Sequence, residues 1–234
     1  MGLLTEYIPG RIWLKEYPVH YAAADFYARM TVIRLHDSRI LIHSPCKIDH
    51  ALKNQIAGLG TVHYLLVPGT FHFSHISSAQ KAFPEAETFI CPGLERKQPK
   101  IEFDWILGNR PDPRWEVDLD QVLIRGSKFI QEAILYDKLS KTLILVDLLE
   151  NFTDSTPGVS RMLKFWFKAV FHMWNNPKPA PEYQIGWNDK AAAKQSLFRI
   201  LDWPFDRIII SHGDLIEERA RETLITAWKT LLDG

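Results

Sequence analysis

Apolar runs that stop abruptly at polar turn residues recur along this chain, with helically spaced segments between them. Val62-His63-Tyr64-Leu65-Leu66-Val67 ends in Pro68-Gly69, Leu143-Ile144-Leu145-Val146 ends in Asp147, and Ile208-Ile209-Ile210 ends in Ser211-His212-Gly213. Runs of this length, rich in aliphatic and β-branched residues and closed by turn residues, read as strands. Residues 49–58 and 74–83 carry helical spacing instead, the second with Ile76, Ala79 and Phe83 on one face and Ser74 placed as its N-terminal cap. The alternation predicts an α/β fold rather than a helical bundle, with loop-borne polar groups gathered at strand ends.

Further strands are expected at residues 31–35 and 39–43, a hairpin turning at His36-Asp37-Ser38, and at 87–91. Residues 92–120 hold Pro92, Pro99, Pro111 and Pro113 among charged residues and read as a long surface connection. Three strands follow, at 121–125, 129–136 and 142–146, then a helix at 188–202 and a last strand at 206–210. Asp214, with Glu217 three places on, fits a capping box for a C-terminal helix.

Around residue 157 the composition changes. Met162, Phe165, Trp166, Phe167, Phe171 and Trp174 make a helical segment that is aromatic nearly all round, interrupted by Lys164 and Lys168. At about 1.5 Å per residue it is too short to span a membrane. Core or subunit packing, a wall of a substrate pocket and contact with a membrane surface all fit it, and packing between two copies would make a homodimer. With 46% of 234 residues apolar the chain can bury a large core, and it reads as one domain over 1–234 with an aromatic-rich helical insertion at 157–182.

The 28 basic residues balance 28 acidic ones without a basic block, so no nucleic-acid partner is expected. Cys46 and Cys91 stand far apart and read as free thiols, although two cysteines can form one bridge. The first nine residues lack a basic leader and a sustained apolar stretch, and Glu6 stands where a myristoylation signal wants Ser or Thr. A cytoplasmic protein is expected.

Chemistry is expected where these strands end. His72, His75, Asp147 and His212 are nitrogen and oxygen donors suited to zinc or iron. His72 and His75 can converge on one ion at a turn into a helix but would face opposite ways on a strand, and Pro68-Gly69 favours the turn. Glu132 and Glu150 are candidates to move a proton if either faces the cavity. Ser74 lacks a Gly-x-Ser-x-Gly setting and reads as a cap, not a nucleophile.

The order of strands and polar strand ends resembles the metallo-beta-lactamase-fold superfamily. The segments His43-Ser44-Pro45, Phe71-His72, Cys91-Pro92-Gly93-Leu94, the Glu132 strand, residues 139–152 and Ser211-His212-Gly213-Asp214 are similar, in that order, to its DUF4336 family. The resemblance implies a four-layer αββα sandwich with mixed β-sheets and metals at one edge. The superfamily's His-x-His-x-Asp-His signature falls on Thr70, His72, Ser74 and His75, so one His and the Asp are absent. Its next histidine falls in Arg125-Gly126-Ser127, again without histidine, whereas the bridging aspartate falls on Asp147 and the last histidine on His212. His43 falls near a supporting aspartate and is a replacement ligand, a donor behind the ligands or a structural side chain.

The resemblance therefore implies a metallo-hydrolase-like protein with a reduced, mononuclear site held by His72, His75, Asp147 and His212. Its metal would be zinc, or iron, and its substrate a small ester, thioester, lactone or phosphodiester. The alternative is a catalytically degenerate protein of the same fold, without metal, with a binding or structural role.

Overall fold

The computed structural model describes residues 3–233, so Met1 and Gly2 of the leader reading lie outside the described residues. The chain builds two mixed sheets. The first runs β1 (Thr5–Ile8), β2 (Ile12–Tyr21), β3 (Ala24–Arg34), β4 (Arg39–His43), β5 (Thr61–Val67), β6 (Glu87–Ile90) and β7 (Trp105–Ile106) in that spatial order. Its early strands are antiparallel, and β4 to β7 are parallel. The second is ordered β11 (Arg207–Ile209), β10 (Thr142–Ile144), β9 (Glu132–Asp137), β8 (Leu119–Ile124), with only the β10–β11 pair parallel.

The period-two alternation of β5 explains the layering. Leu65 and Val67 face outward, where they meet Leu52 and Ile56 of α1 (His50–Ala57) and Ile76 and Ala79 of α2 (Ile76–Ala82). Tyr64 and Leu66 face inward, against Leu135, Ile144 and Ile209 of the second sheet. A strand buried on both faces has to be apolar nearly throughout, as this one is. Beyond the second sheet, Leu197 and Ile200 of α6 (Lys190–Leu201) and Leu224 of α7 (Ala220–Ala227) cover Val122, Ile134 and Leu143. Helix, sheet, sheet, helix is the four-layer αββα sandwich expected from the sequence.

Three short helices, α3 (Leu94–Lys97), α5 (Pro181–Ile185) and α8 (Lys229–Asp233), complete the set together with α4 (Arg161–Ala169) from the aromatic segment. Leu163 and Phe167 of α4 pack against Ala24, Phe152 and Met173, whereas Met162, Phe165 and Trp166 face outward. None of the α4 residues lines the large cleft described below.

Several local expectations give way. The β2–β3 hairpin was not legible as strand before residue 31; it is a ladder of ten pairs, of which β4 continues only Thr31 to Arg34. Residues 17–28 therefore project as a two-stranded arm, and Pro18 is tolerated because it lies on the open edge. Residues 92–120 are more than a surface connection, since Trp115 is buried among Tyr64 and Phe89 between the sheets. Ser74 does not cap α2: the helix starts at Ile76 behind His75, without a side-chain capping bond. Nor does Asp214 cap a helix; its Oδ2 accepts hydrogen bonds from Ser155 and Thr156, and α7 starts only after Arg219. Cys46 and Cys91 are both buried free thiols.

The sheets are fastened at the end far from the ends of β5, β10 and β11. Arg11, between β1 and β2, reaches across to Asp118 at 2.9 Å and to Asp137, all three buried. No helix among the described residues is long and apolar enough to cross a membrane.

Candidate metal centre

At the opposite end three side chains meet. His72 arrives on the turn after β5, which is stitched to β9 by Ala133 N–H donating to Pro68 O at 2.7 Å and Thr70 N–H donating to Gln131 O at 3.1 Å. Asp147 follows β10 directly. His212 follows β11 and is held beside β3 because Arg29 donates to the carbonyls of Ile210 and Gly213. Gly213 adopts φ +91°, and a Cβ there would lie 2.1 Å from Asn151 O, so glycine is what permits the turn behind His212.

His72 Nε2 lies 3.2 Å from Asp147 Oδ1, His212 Nε2 lies 3.3 Å from His72 Nε2, and His212 Nε2 lies 3.4 Å from Asp147 Oδ1. A tetrahedral ion bound at about 2.0–2.1 Å holds its donors roughly 3.3–3.4 Å apart. The three atoms thus outline one face of such a tetrahedron. Among the described residues this is the one group of at least three His, Cys, Asp or Glu side chains so arranged.

The outer contacts fix which nitrogen points inward. His212 Nδ1 lies 3.2 Å from the Tyr27 carbonyl, which can only accept, so Nδ1 carries the proton and Nε2 presents a lone pair. His72 Nδ1 lies 2.8 Å from the Ser44 hydroxyl, which can play the same part. Three electron-pair donors then face one another at contact distance, an arrangement that a cation among them stabilises. Asp147 Oδ2 is also buried without a hydrogen-bond partner among the described residues. The donor set, its spacing and this free oxygen all fit a metal ion.

Burial works against charge on Asp147, yet without a cation among the three groups a charged His72 and Nε2–H groups of His212 and His72 donating to it hold its carboxyl well below the usual carboxylate range; a bound ion would take the place of those protons. Glu132 behaves oppositely: burial first, then the Asp147 charge, push its carboxyl well above the ordinary value. Its oxygens accept from the backbone of Val146 at 2.6 Å and of Asp147 at 3.2 Å, and the Tyr183 hydroxyl donates to it at 3.3 Å. Glu132 does not line the cleft. It braces the backbone that carries Asp147.

Glu150 does reach the cleft. Burial and the charges of Asp147, Glu182 and Glu132 raise its carboxyl well above the ordinary value, and its Oε2 is buried without a hydrogen-bond partner among the described residues. His43 is buried at the end of β4, where burial and the charge of His72 push its pKa down to about 3. Neither of its ring nitrogens has a hydrogen-bond partner among the described residues, and it lies outside the three-donor group. His75 also lies outside it. Although it shares the turn into α2 with His72, its ring packs edge-on against Tyr17 at 5.5 Å.

The donors open onto a cleft of about 550 Å³. Tyr17, Tyr21 and Phe26 of the β2–β3 arm form one side, with Phe71 and Ile130 among the rest of its walls. Lys97, from α3, is the one Lys or Arg among the described residues that line it; it donates to Thr70 O at 2.9 Å and sits 3.4 Å over the Phe71 ring. Sequence reading missed Ser44, Tyr27 and Lys97. Ser44, a positive-φ residue trapped between β4 and Pro45, was the most legible of them.

Solved structures share this architecture along nearly the whole chain. A metallo-beta-lactamase from Pontibacter korlensis superimposes with a TM-score of 0.65 at 10% identity, covering 100% of both chains. One from Hirschia baltica gives 0.65 at 10% identity over 98% of each. The chain has the metallo-beta-lactamase fold. FIM-1 from Pseudomonas aeruginosa, a metallo-beta-lactamase in a mono-zinc form, gives 0.65 at 10% identity over 98% of this chain and 96% of its own. At such identity the metallo-beta-lactamase likeness concerns architecture, and function has to be argued from the site. No family model matches the chain, and no curated protein matches its sequence.

Proposed function

We propose that this chain is a metallo-hydrolase-like protein of the cytoplasm, on the DUF4336 branch of the superfamily, with one ion held by His72, Asp147 and His212. The triangle of donor atoms at 3.2, 3.3 and 3.4 Å carries this reading. Three protein ligands are the number typical of catalytic zinc sites, which keep one position open. Zinc, or iron in its place, supplies a Lewis acid and brings the pKa of water toward neutrality.

The remaining work falls to the chain. Ser44 and the Tyr27 carbonyl keep the imidazoles turned inward, and Glu132 fixes Asp147 through its backbone. Glu150, whose carboxyl is pushed toward its protonated form by burial and the neighbouring carboxylates, is the group we assign to give a proton to a leaving oxygen. Tyr21, Phe26 and Phe71 exclude water and offer apolar contact, and Lys97 offers one positive charge. A small ester, thioester, lactone or phosphodiester with an apolar body suits that cleft.

Metal analysis of protein purified without chelator or nickel affinity tests the reading. The parent is expected to retain close to one ion per chain, as is H75A, whereas H72A, D147A and H212A lose it. A parent that stays free of metal even after incubation with zinc overturns it. That outcome supports the degenerate alternative, a binding or structural protein, which the absence of donors at Thr70, Ser74 and Ser127 favours. The outward Met162, Phe165 and Trp166 of α4 support a homodimer, which sedimentation at two concentrations tests.

A further inference from the structure

The segment running from Lys178 through α5 to Trp187 has two faces. Glu182 looks into the metal cleft, but Lys178, Tyr183 and Trp187 line a separate cavity of about 660 Å³ on the other side. Lys190 and Lys194 of α6 and Trp228, next to α8, complete its walls. The volume lies within the range of small-molecule sites, roughly 300–1,000 Å³.

Its chemistry is one-sided. Three lysines line it, no carboxylate among the described residues does, and none of the three forms an ion pair among the described residues, Lys194 Nζ lying 5.9 Å over the Phe198 ring. Beneath them lies an aromatic floor. The Tyr183 ring stacks on Trp187 at 5.6 Å and 24°, and Trp228 meets both edge-on at 5.6 Å. The polar ends of the two most buried rings are turned away from the cavity: Trp228 Nε1 donates to Leu148 O at 3.0 Å, and the Tyr183 hydroxyl donates to Glu132. With Tyr183 fully buried and Trp228 4% exposed, the ring surface open to a ligand is chiefly that of Trp187, backed by the other two rings, in a wall shared with three lysines.

Unpaired like charges around one apolar hollow repel each other, and an anion placed among them reverses the sign of that interaction. An inorganic ion would leave the aromatic floor unused. We propose that this cavity is a second binding site, for a flat organic anion: a ring system bearing a carboxylate or a phosphate. The assignment shares no donor residue with the metal centre and stands whether or not that centre holds an ion.

Calorimetric titration of the full chain with 2-naphthoate and with AMP tests it and separates carboxylate from phosphate ligands; inorganic phosphate and 2-naphthol supply the charge alone and the ring alone. One of the ring-bearing anions is expected to bind with a dissociation constant below about 1 mM, with both controls at least tenfold weaker. In K178Q/K190Q/K194Q, whose exchanges lie outside the packed core, affinity should fall about tenfold or more, and Trp187→Leu should weaken it separately. His72→Ala should leave it unchanged. The proposal is overturned if neither anion binds, if phosphate alone binds as well, if the triple variant keeps its affinity, or if His72→Ala abolishes binding, which would place the ligand in the metal cleft.

Discussion

Replacing Glu132 by Gln examines how the metal centre is held rather than which atoms compose it. The carboxyl receives the N–H groups of Val146 and Asp147 and the hydroxyl of Tyr183 in a fully buried setting. Gln keeps the volume and one accepting oxygen, but its amide turns an N–H toward one of the two backbone donors. A buried donor left unsatisfied costs about 1–3 kcal/mol. In a chain of this size that corresponds to a fall in Tm of about 2–12 °C. Glu132→Ala strands both backbone donors and opens a cavity, so a loss of about 3–5 kcal/mol is expected. The backbone at Asp147 should relax in both, and metal affinity should drop about 10- to 100-fold, as when a group supporting a ligand is removed. Thermal unfolding of the metal-free protein gives the first quantity, and competition against a chelating dye gives the second. If Glu132→Gln melts within a degree of the parent and binds zinc equally well, Asp147 is positioned by something else and the bracing role is wrong.

Other consequences concern charge and backbone. Arg11→Met leaves Asp118 and Asp137 buried without their counter-charge and should cost about 3–5 kcal/mol in a denaturant melt at neutral pH. Because the folded-state pKa of Glu150 is raised above 4.5, its contribution to stability is full below that value and is lost as pH rises through the folded one. Metal-free Glu150→Gln should accordingly show a flatter fall in Tm with rising pH than the parent; an unchanged slope counts against a protonated Glu150. Gly213→Ala forces a Cβ against Asn151 O and should cost at least about 1–3 kcal/mol of strain while lowering zinc retention, read by melting and metal analysis.

The parts of the fold most legible in the sequence are those buried on both faces. The β5 run and the runs ending at Asp147 and His212 have to be apolar nearly throughout, so the polar residues closing them stood out and marked the donors. The arm was illegible for the converse reason: Tyr17 to Tyr21 are only partly covered and include Pro18, so no run appears. Ser74 and Asp214 sat in capping contexts, but tertiary partners decided where α2 and α7 begin. The His72–His75 spacing placed both residues at one turn, but not which ring would meet Asp147. For Glu132, sequence showed a strand residue; only the closing of β9 against β10 reveals that its carboxyl grips backbone rather than facing the cleft.

The aromatic insertion acquires a purpose from the arm it supports. A two-stranded ribbon with no flanking neighbour is a poor beam, and this one overhangs the donors with Tyr21 and Phe26 on its underside. Leu163 and Phe167 of α4, packed with Phe152 against Ala24 at its tip, tie down the far end of the ribbon. Whatever loosens that tie frees the end of the ribbon, so one wall of the cleft depends on a strut that takes no part in lining it.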